Sequence, residues 1–278
     1  MAATLRELKP RTRWVAQPLE AHAEIDSTNL RAEELAARGA SDGTAVLAER
    51  QTSGRGRLGR SFFSPPGVGI YCSLILRPRC SPERAHEQIF AAAVAVARCA
   101  SECLGSSEVV ELKWPNDVLL SGRKTSGINL SVQLDGNSVA AAVLGVGVNV
   151  NTAREDFPQE LRAIATSLAA ELGKPLDRAA FAERLLEELE AQLDTLRAQG
   201  FTPILERWRE FFRMRGKRVR VASGIGPGGV AGGLGAGAVI AEGSVIGVDS
   251  EGALLLQTPT GEIERIVAGD VTVLRGET

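Results

Sequence analysis

The sequence predicts an α+β protein with a small β-barrel at its C-terminal end. Two observations carry that expectation. Strand-length apolar runs and helix-length amphipathic stretches are mixed over residues 1–214, without the strand–helix alternation of a doubly wound sheet. After about residue 214 the pattern changes to short β-like runs separated by glycines. The chain has 278 residues, 44% hydrophobic and 24% charged, as expected of a globular protein with room for one large unit and one small one. The expected units are residues 1–214 and 215–278.

Each element has a local reason. Residues 27–38 read as a helix that Ser27, Thr28 or Asn29 can cap and Gly39 can end. Residues 44–49 read as a strand, followed by a polar, glycine-rich segment over 51–67. Residues 69–76 look like a buried strand, and 83–104 like a long alanine-rich helix ending at Gly105. Strands are expected at 109–114, 124–134 and 138–150, with Asp135-Gly136 as a hairpin turn between the last two. Helices follow near 159–172, 178–199 and 203–212. The second has an apolar stripe of Leu185, Leu186, Leu189, Leu193 and Leu196. The barrel would be built from 217–222, 238–248, 252–257 and 262–267. The glycine tract 224–237 reads as a mobile loop.

Composition narrows the function. Thirty-two basic residues nearly balance 34 acidic ones, so net charge gives no general attraction to nucleic acid or anionic membranes. The first 25 residues hold no signal-peptide-like apolar run, and nothing approaches the roughly 18 apolar residues that span a bilayer. The cytoplasm is the expected compartment. Cys72, Cys80, Cys99 and Cys103 form no CxxC pair, and with only His22 and His86 besides, free thiols are expected and no metal site.

Four segments carry chemistry. Gly54-Arg55-Gly56-Arg57-Leu58-Gly59-Arg60 combines close backbone approach with forked donors that match phosphate or carboxylate oxygens. A solvated basic loop or a nucleic-acid contact would use the same residues. It has neither P-loop spacing nor a dinucleotide-fold context. In Lys113-Trp114-Pro115-Asn116-Asp117, Pro115 must end or bulge a strand, which puts Trp114, Asn116 and Asp117 at its end. In the segment 122–128, GRKTSGI, Lys124 leads into a strand, either as a fixed charge facing a pocket or as an ordinary solvated lysine. In GVGVNVN, 145–151, glycines inside a strand imply something packed closely on that surface, or else a bulge, and Asn149 can meet a ligand edge.

Together Ser27-Thr28-Asn29, Gln51, GRGRLGR, KWPND, GRKTSGI and GVGVNVN resemble, in kind and order, the motifs of biotin protein ligases. The resemblance spans roughly residues 24–275. It implies a mixed sheet flanked by helices, as in class II aminoacyl-tRNA synthetases, with a C-terminal SH3-like barrel. It implies biotin and ATP as substrates, Mg²⁺, and a biotin carboxyl carrier domain as partner. By similarity Ser27, Thr28 and Asn29 hold the ureido end of biotin and Gln51 lies near its carboxylate. Arg55, Gly56 and Arg57 belong to a loop that orders over biotin and the adenylate phosphate. Lys124, beside Gly127, contacts the carboxylate and α-phosphate. Arg57, Arg60, Phe62, Trp114, Asn116, Lys124 and Asn149 are expected at the nucleotide, Phe62 stacking on adenine. Lys124, Arg57 and Asp117 are the expected catalytic groups, Asp117 orienting or deprotonating the acceptor amine.

The sequence departs from the family in three places. Ser61-Phe62-Phe63 stands where some members carry a tryptophan. The glycine tract lengthens the first barrel loop. Only 26 residues precede Ser27, too few for the DNA-binding domain of the repressor members, so a monofunctional ligase without nucleic-acid or membrane partners is expected. Members occur as monomers or dimers, so a homodimer is open. The rival readings are a lipoate or octanoate ligase on the same fold and a noncatalytic, nucleic-acid-binding repressor.

Overall fold

The computed structural model describes residues 5–223 and 238–274; the glycine tract 224–237 lies outside them. The large sheet grows from one long hairpin. β6 (Arg123–Asp135) and β7 (Ser138–Asn149) turn at Asp135-Gly136, where Gly136 has φ +57°, the conformation that the hairpin signal requires. β3 (Gly69–Leu76) pairs antiparallel with β7 along its whole length. β2 (Ala45–Ala48) and β1 (Leu19–His22) extend this side, and β5 (Asp117–Leu120) and β4 (Val110–Lys113) the other. The order is β1-β2-β3-β7-β6-β5-β4, and β1 runs parallel to β2 while the other pairs are antiparallel. β1 and β5 were not foreseen in the sequence.

One face of the sheet is fully covered. α2 (Glu87–Leu104) buries every residue from Glu87 to Ala97, and its alanines let the helix lie close to the strands. It ends at Gly105, φ +66°, as expected. It begins later than position 83, because a short turn over Pro82–Arg84 comes first. α4 (Arg178–Gln199) packs against α2 with Leu185, Leu186, Leu189, Leu193 and Leu196 all buried. α5 (Thr202–Glu210) completes this layer with Ile204, Leu205 and Trp208.

The opposite face carries α1 (Thr28–Ala37). Its Ala32 and Ala36 rest on Val46, Ile75, Ala141 and Val143. Ser27 occupies the N-cap position and Gly39, φ +86°, follows the last turn. The helix spans ten residues and leaves the end of the sheet beyond its N-terminus open.

The helix expected at 159–172 is reduced to α3 (Leu168–Leu172). Residues 164–166 instead run against β6: Lys124 N donates to Ile164 O and Thr166 N to Lys124 O. Hydrogen bonds to the sheet there outcompete a helix whose propensity is only modest.

The C-terminal unit is an antiparallel sheet in the order β11-β10-β9-β8-β12. Its strands are β8 (Arg218–Ala222), β9 (Val239–Val248), β10 (Leu254–Gln257), β11 (Ile263–Ile266) and β12 (Asp270–Val273). β12 was not foreseen either. The unit docks beside β4: Trp114 Nε1 donates to Gly252 O at 2.9 Å, and Lys217 pairs with Glu111 at 2.6 Å.

Candidate active site

The open end of the α1 face has a floor made of glycine. Tyr71 of β3 is in register with Gly147 of β7, Gly147 with Gly127 of β6, and Gly127 with Asp117 of β5. One row along, Ser73 faces Gly145 and Gly145 faces Asn129. A Cβ on Gly145 would overlap the Asn29 carboxamide, and one on Gly147 would lie 2.7 Å from the Phe62 ring. Something does pack closely on these glycines, as their place inside a strand suggested.

The closed end of the cleft is a hydrogen-bonded chain. Ser73 Oγ lies 2.5 Å from Asn29 Oδ1 and 2.8 Å from Thr28 Oγ1. Thr28 donates its backbone N–H and its hydroxyl to Gln51 Oε1, at 2.9 and 3.1 Å. Gln51 Nε2 donates to Ser64 Oγ, which donates to the carbonyl of Phe62. The N-terminus of α1 is thereby tied to the arginine loop. Polar groups buried in this way hold one another in fixed positions.

The other end is charged. Lys124 Nζ lies 2.6 Å from Asp117 Oδ1. Arg57 Nη1 donates to Asn116 Oδ1 at 3.0 Å, and Asn116 Nδ2 donates to Ile128 O. Burial holds the Arg57 guanidinium below its usual pKa, while Asp117 and Asp270 act in the opposite sense. An anionic ligand beside it would offset the cost of that burial by charge attraction. The loop is pinched at its base by Gly56 N to Arg60 O, 2.7 Å, and Arg60 reaches the C-terminal sheet through Asp270 at 2.5 Å.

Thr28, Asn29, Gln51, Arg55, Gly56, Arg57, Arg60, Phe62, Asn116, Asp117, Lys124 and Gly127 thus line one cleft. Three expected residues lie outside its lining. Ser27 is fully buried, its hydroxyl without a hydrogen-bond partner among the described residues. Trp114 points into the core and bonds to Gly252 O. Asn149 lies farther along β7 and donates to Thr166 O at 3.1 Å. Phe62 lies over Gly147 and Gly127, edge-on to Tyr71 at 6.4 Å, not free beside the nucleotide motifs. Sequence reasoning missed Tyr71, Ser73, Ser64, Asn129 and Asp270. The first two had a signal: they alternate on one face of the otherwise apolar run GIYCSLIL. Among the described residues no cluster of three or more His, Cys, Asp or Glu side chains could hold a metal ion, and no helix is long and apolar enough to cross a membrane.

Residues 22–149 match the model of the Biotin/lipoate A/B protein ligase family, and residues 229–274 that of the Biotin protein ligase C terminal domain. The chain is 37% identical over 261 residues to the bifunctional ligase/repressor BirA of Bacillus subtilis, which covers 94% of this chain and 75% of that protein. It is 35% identical to the biotin–[acetyl-CoA-carboxylase] ligase of Paracoccus denitrificans, over 86% of this chain and 94% of the relative. Among solved structures it is similar to the biotin protein ligase of Aquifex aeolicus in complex with biotin and ATP. The TM-score is 0.73 and the identity 29%, over 93% of this chain and 99% of that one.

Proposed function

The chain belongs to the biotin protein ligases, and from that premise we propose that the cleft on the α1 face activates biotin with ATP and passes it to a lysine of a biotin carboxyl carrier domain. The observation that carries the reading is one continuous cleft with a polar closed end, a glycine floor and a paired Lys124–Asp117 beside Arg57. These three parts match the three parts of the acid: a ureido head, a flat apolar chain and a carboxylate.

Thr28 and Asn29 take the ureido end. Gln51 belongs with them rather than with the carboxylate, since it is bonded to Thr28. Phe62 and Tyr71 wall the chain above Gly147 and Gly127, a placement that suits the acyl chain better than adenine. The carboxylate then lies near Lys124. Its oxygen attacks the α-phosphorus of ATP, an O–P bond forms, and the bond to pyrophosphate breaks. Lys124 and Arg57 stabilise the charge that develops on the phosphoryl oxygens. The arginine loop excludes water from the mixed anhydride. In the second step the neutral acceptor amine attacks the carbonyl, a C–N bond forms as the C–O bond to AMP breaks, and the proton lost by the nitrogen passes to Asp117. Asp117 holds Lys124 over the floor before the phosphate arrives, and accepts a hydrogen bond from the incoming amine once Lys124 has turned to the phosphate.

The residues fit magnesium only as an ion carried by the nucleotide. Asp117 and Asn116 would offer it oxygen donors at the charged end of the cleft, and the ion would supply charge neutralisation at the triphosphate. The proposal extends to a catalytic unit of residues 1–214 and a second unit of 215–278 joined through Arg60–Asp270. It needs no nucleic acid, places the reaction in the cytoplasm, and builds the cleft within one chain, so a homodimer would not be required for chemistry. The test is ATP–pyrophosphate exchange. Exchange that starts only when biotin is added supports the reading, and exchange that starts with lipoate or octanoate instead overturns it.

A further inference from the structure

We infer that Glu49 and Arg178, neither of which lines the cleft, form a positioning pair that pins both stems of the arginine loop. The inference rests on the reading of that loop as the cover of the adenylate. β2 ends at Ala48 and β3 starts at Gly69, and the segment 49–68 between them has one three-residue turn of regular structure, Arg57–Gly59. A segment of that length closes at an entropic cost and wanders unless its ends are held.

Both ends meet at Glu49. Its carbonyl accepts from Gly67 N at 3.0 Å, so the outgoing stem is tied to the returning one. Its Oε2 lies 2.5 Å from Arg178 Nη2, and the same guanidinium donates through Nη1 to the carbonyl of Gly69 at 3.2 Å. The other carboxylate oxygen accepts from Leu5 N at 2.6 Å. One guanidinium therefore bridges the last residue before the loop's chemistry begins and the first residue after it ends.

Arg178 is well placed for this. It is the first residue of α4, and Asp177 fixes that helix start by accepting from Ala179 N and Ala180 N at 3.0 and 3.1 Å. The helix behind it is anchored in the core by its leucine stripe. The two side chains are only 9% and 15% exposed for Arg178 and Glu49, so solvent screens them far less than an ordinary surface pair. Gln51, two residues beyond Glu49, is bonded to Thr28. Fixing Glu49 thus fixes the register in which Gln51 meets the ligand end of α1.

The test uses Arg178→Ala, Arg178→Lys and Glu49→Gln in the full chain. Amide hydrogen exchange reads the loop itself, and biotinylation of a bystander protein reads leakage of the adenylate. In Arg178→Ala we expect exchange over 50–66 to rise about tenfold while α2 and β10 stay unchanged. The KM for biotin rises several-fold, on the order of 5, bystander labelling increases, and the maximal pyrophosphate exchange rate stays near wild type. Arg178→Lys keeps the charge but cannot reach Glu49 and Gly69 together, so it falls between the two. Should the alanine variant not fold, the lysine variant decides. Wild-type loop exchange in the folded variants overturns the inference, and so does an equal rise in exchange across the whole chain. A wild-type protein with no biotin-dependent exchange of pyrophosphate would refute the ligase reading instead, while the amide data would still judge the pair.

Discussion

The two faces of the seven-stranded sheet are built from the same strands and do opposite work. On the face under α2 and α4, β3 presents Ile70, Cys72, Leu74 and Leu76, and β7 presents Leu144, Val146 and Val148, all buried. On the face under α1, the same two strands present Tyr71 and Ser73 and, opposite them, Gly147 and Gly145. One face is filled by the strands' own side chains to the density of a protein interior, while on the other the strands give way to glycine, over which Asn29 and Phe62 pack. A period-two element can therefore supply stability and a binding floor together, because neighbouring residues never share a face.

The contrast can be broken by substitution, and the largest effect should come from Lys124. Lys124→Ala should lower kcat for biotin adenylation by about 10³-fold, with an unchanged melting temperature, on the proposal that the side chain neutralises developing charge. Single-turnover rates and a thermal melt check both halves. A variant that melts early but reacts at the wild-type rate would place Lys124 in the scaffold.

The next test sets the faces side by side. Gly145→Ala pushes Asn29 away from Ser73 and should raise the KM for biotin on the order of 100-fold. Leu144→Ala, one residue earlier and fully buried on the other face, should destabilise the fold by about 2–5 kcal/mol and leave KM alone. Denaturant titration and steady-state kinetics on the pair would show whether the division of labour is that sharp. If Leu144→Ala raised KM as strongly as Gly145→Ala, it is not.

Smaller effects sharpen the charged end. Asp117→Asn frees Lys124 from its ion pair and should slow transfer from preformed biotinyl-adenylate to the carrier about tenfold. Full transfer by that variant would remove Asp117 from the second step. Arg60→Ala should be the mildest, changing the KM for ATP about two- to threefold, because Arg60 is 62% exposed and its pair with Asp270 is screened. A much larger loss would mean that the C-terminal sheet governs the arginine loop more strongly than a solvated pair can.

Much of the scaffold was legible in the residues. The buried run GIYCSLIL coincides with β3 from end to end, the Asp135-Gly136 turn joins β6 to β7, and the leucine stripe of α4 is buried where its spacing put it. β1, β5 and β12 were not foreseen, and each is held in its sheet by backbone pairing to a neighbouring strand. The helix over 159–172 failed for a related reason: part of the segment is taken up along Lys124. Within the site the motif residues were visible, but Ser73 and Ser64, which link them, carry no motif.

Local chemistry in the chain specified the parts: glycines inside β6 and β7, arginines and a lysine that bring positive charge to one cleft, a proline that stops β4 before Asn116 and Asp117. Spacing along a chain says nothing of which parts meet. That Gln51 turns to Thr28, that Trp114 faces the C-terminal sheet rather than the cleft, and that Glu49 meets Arg178 across 129 positions are consequences of packing. Each depends on register between strands and on the seat of a helix, quantities set by the sum of many weak contacts and carried by no single residue.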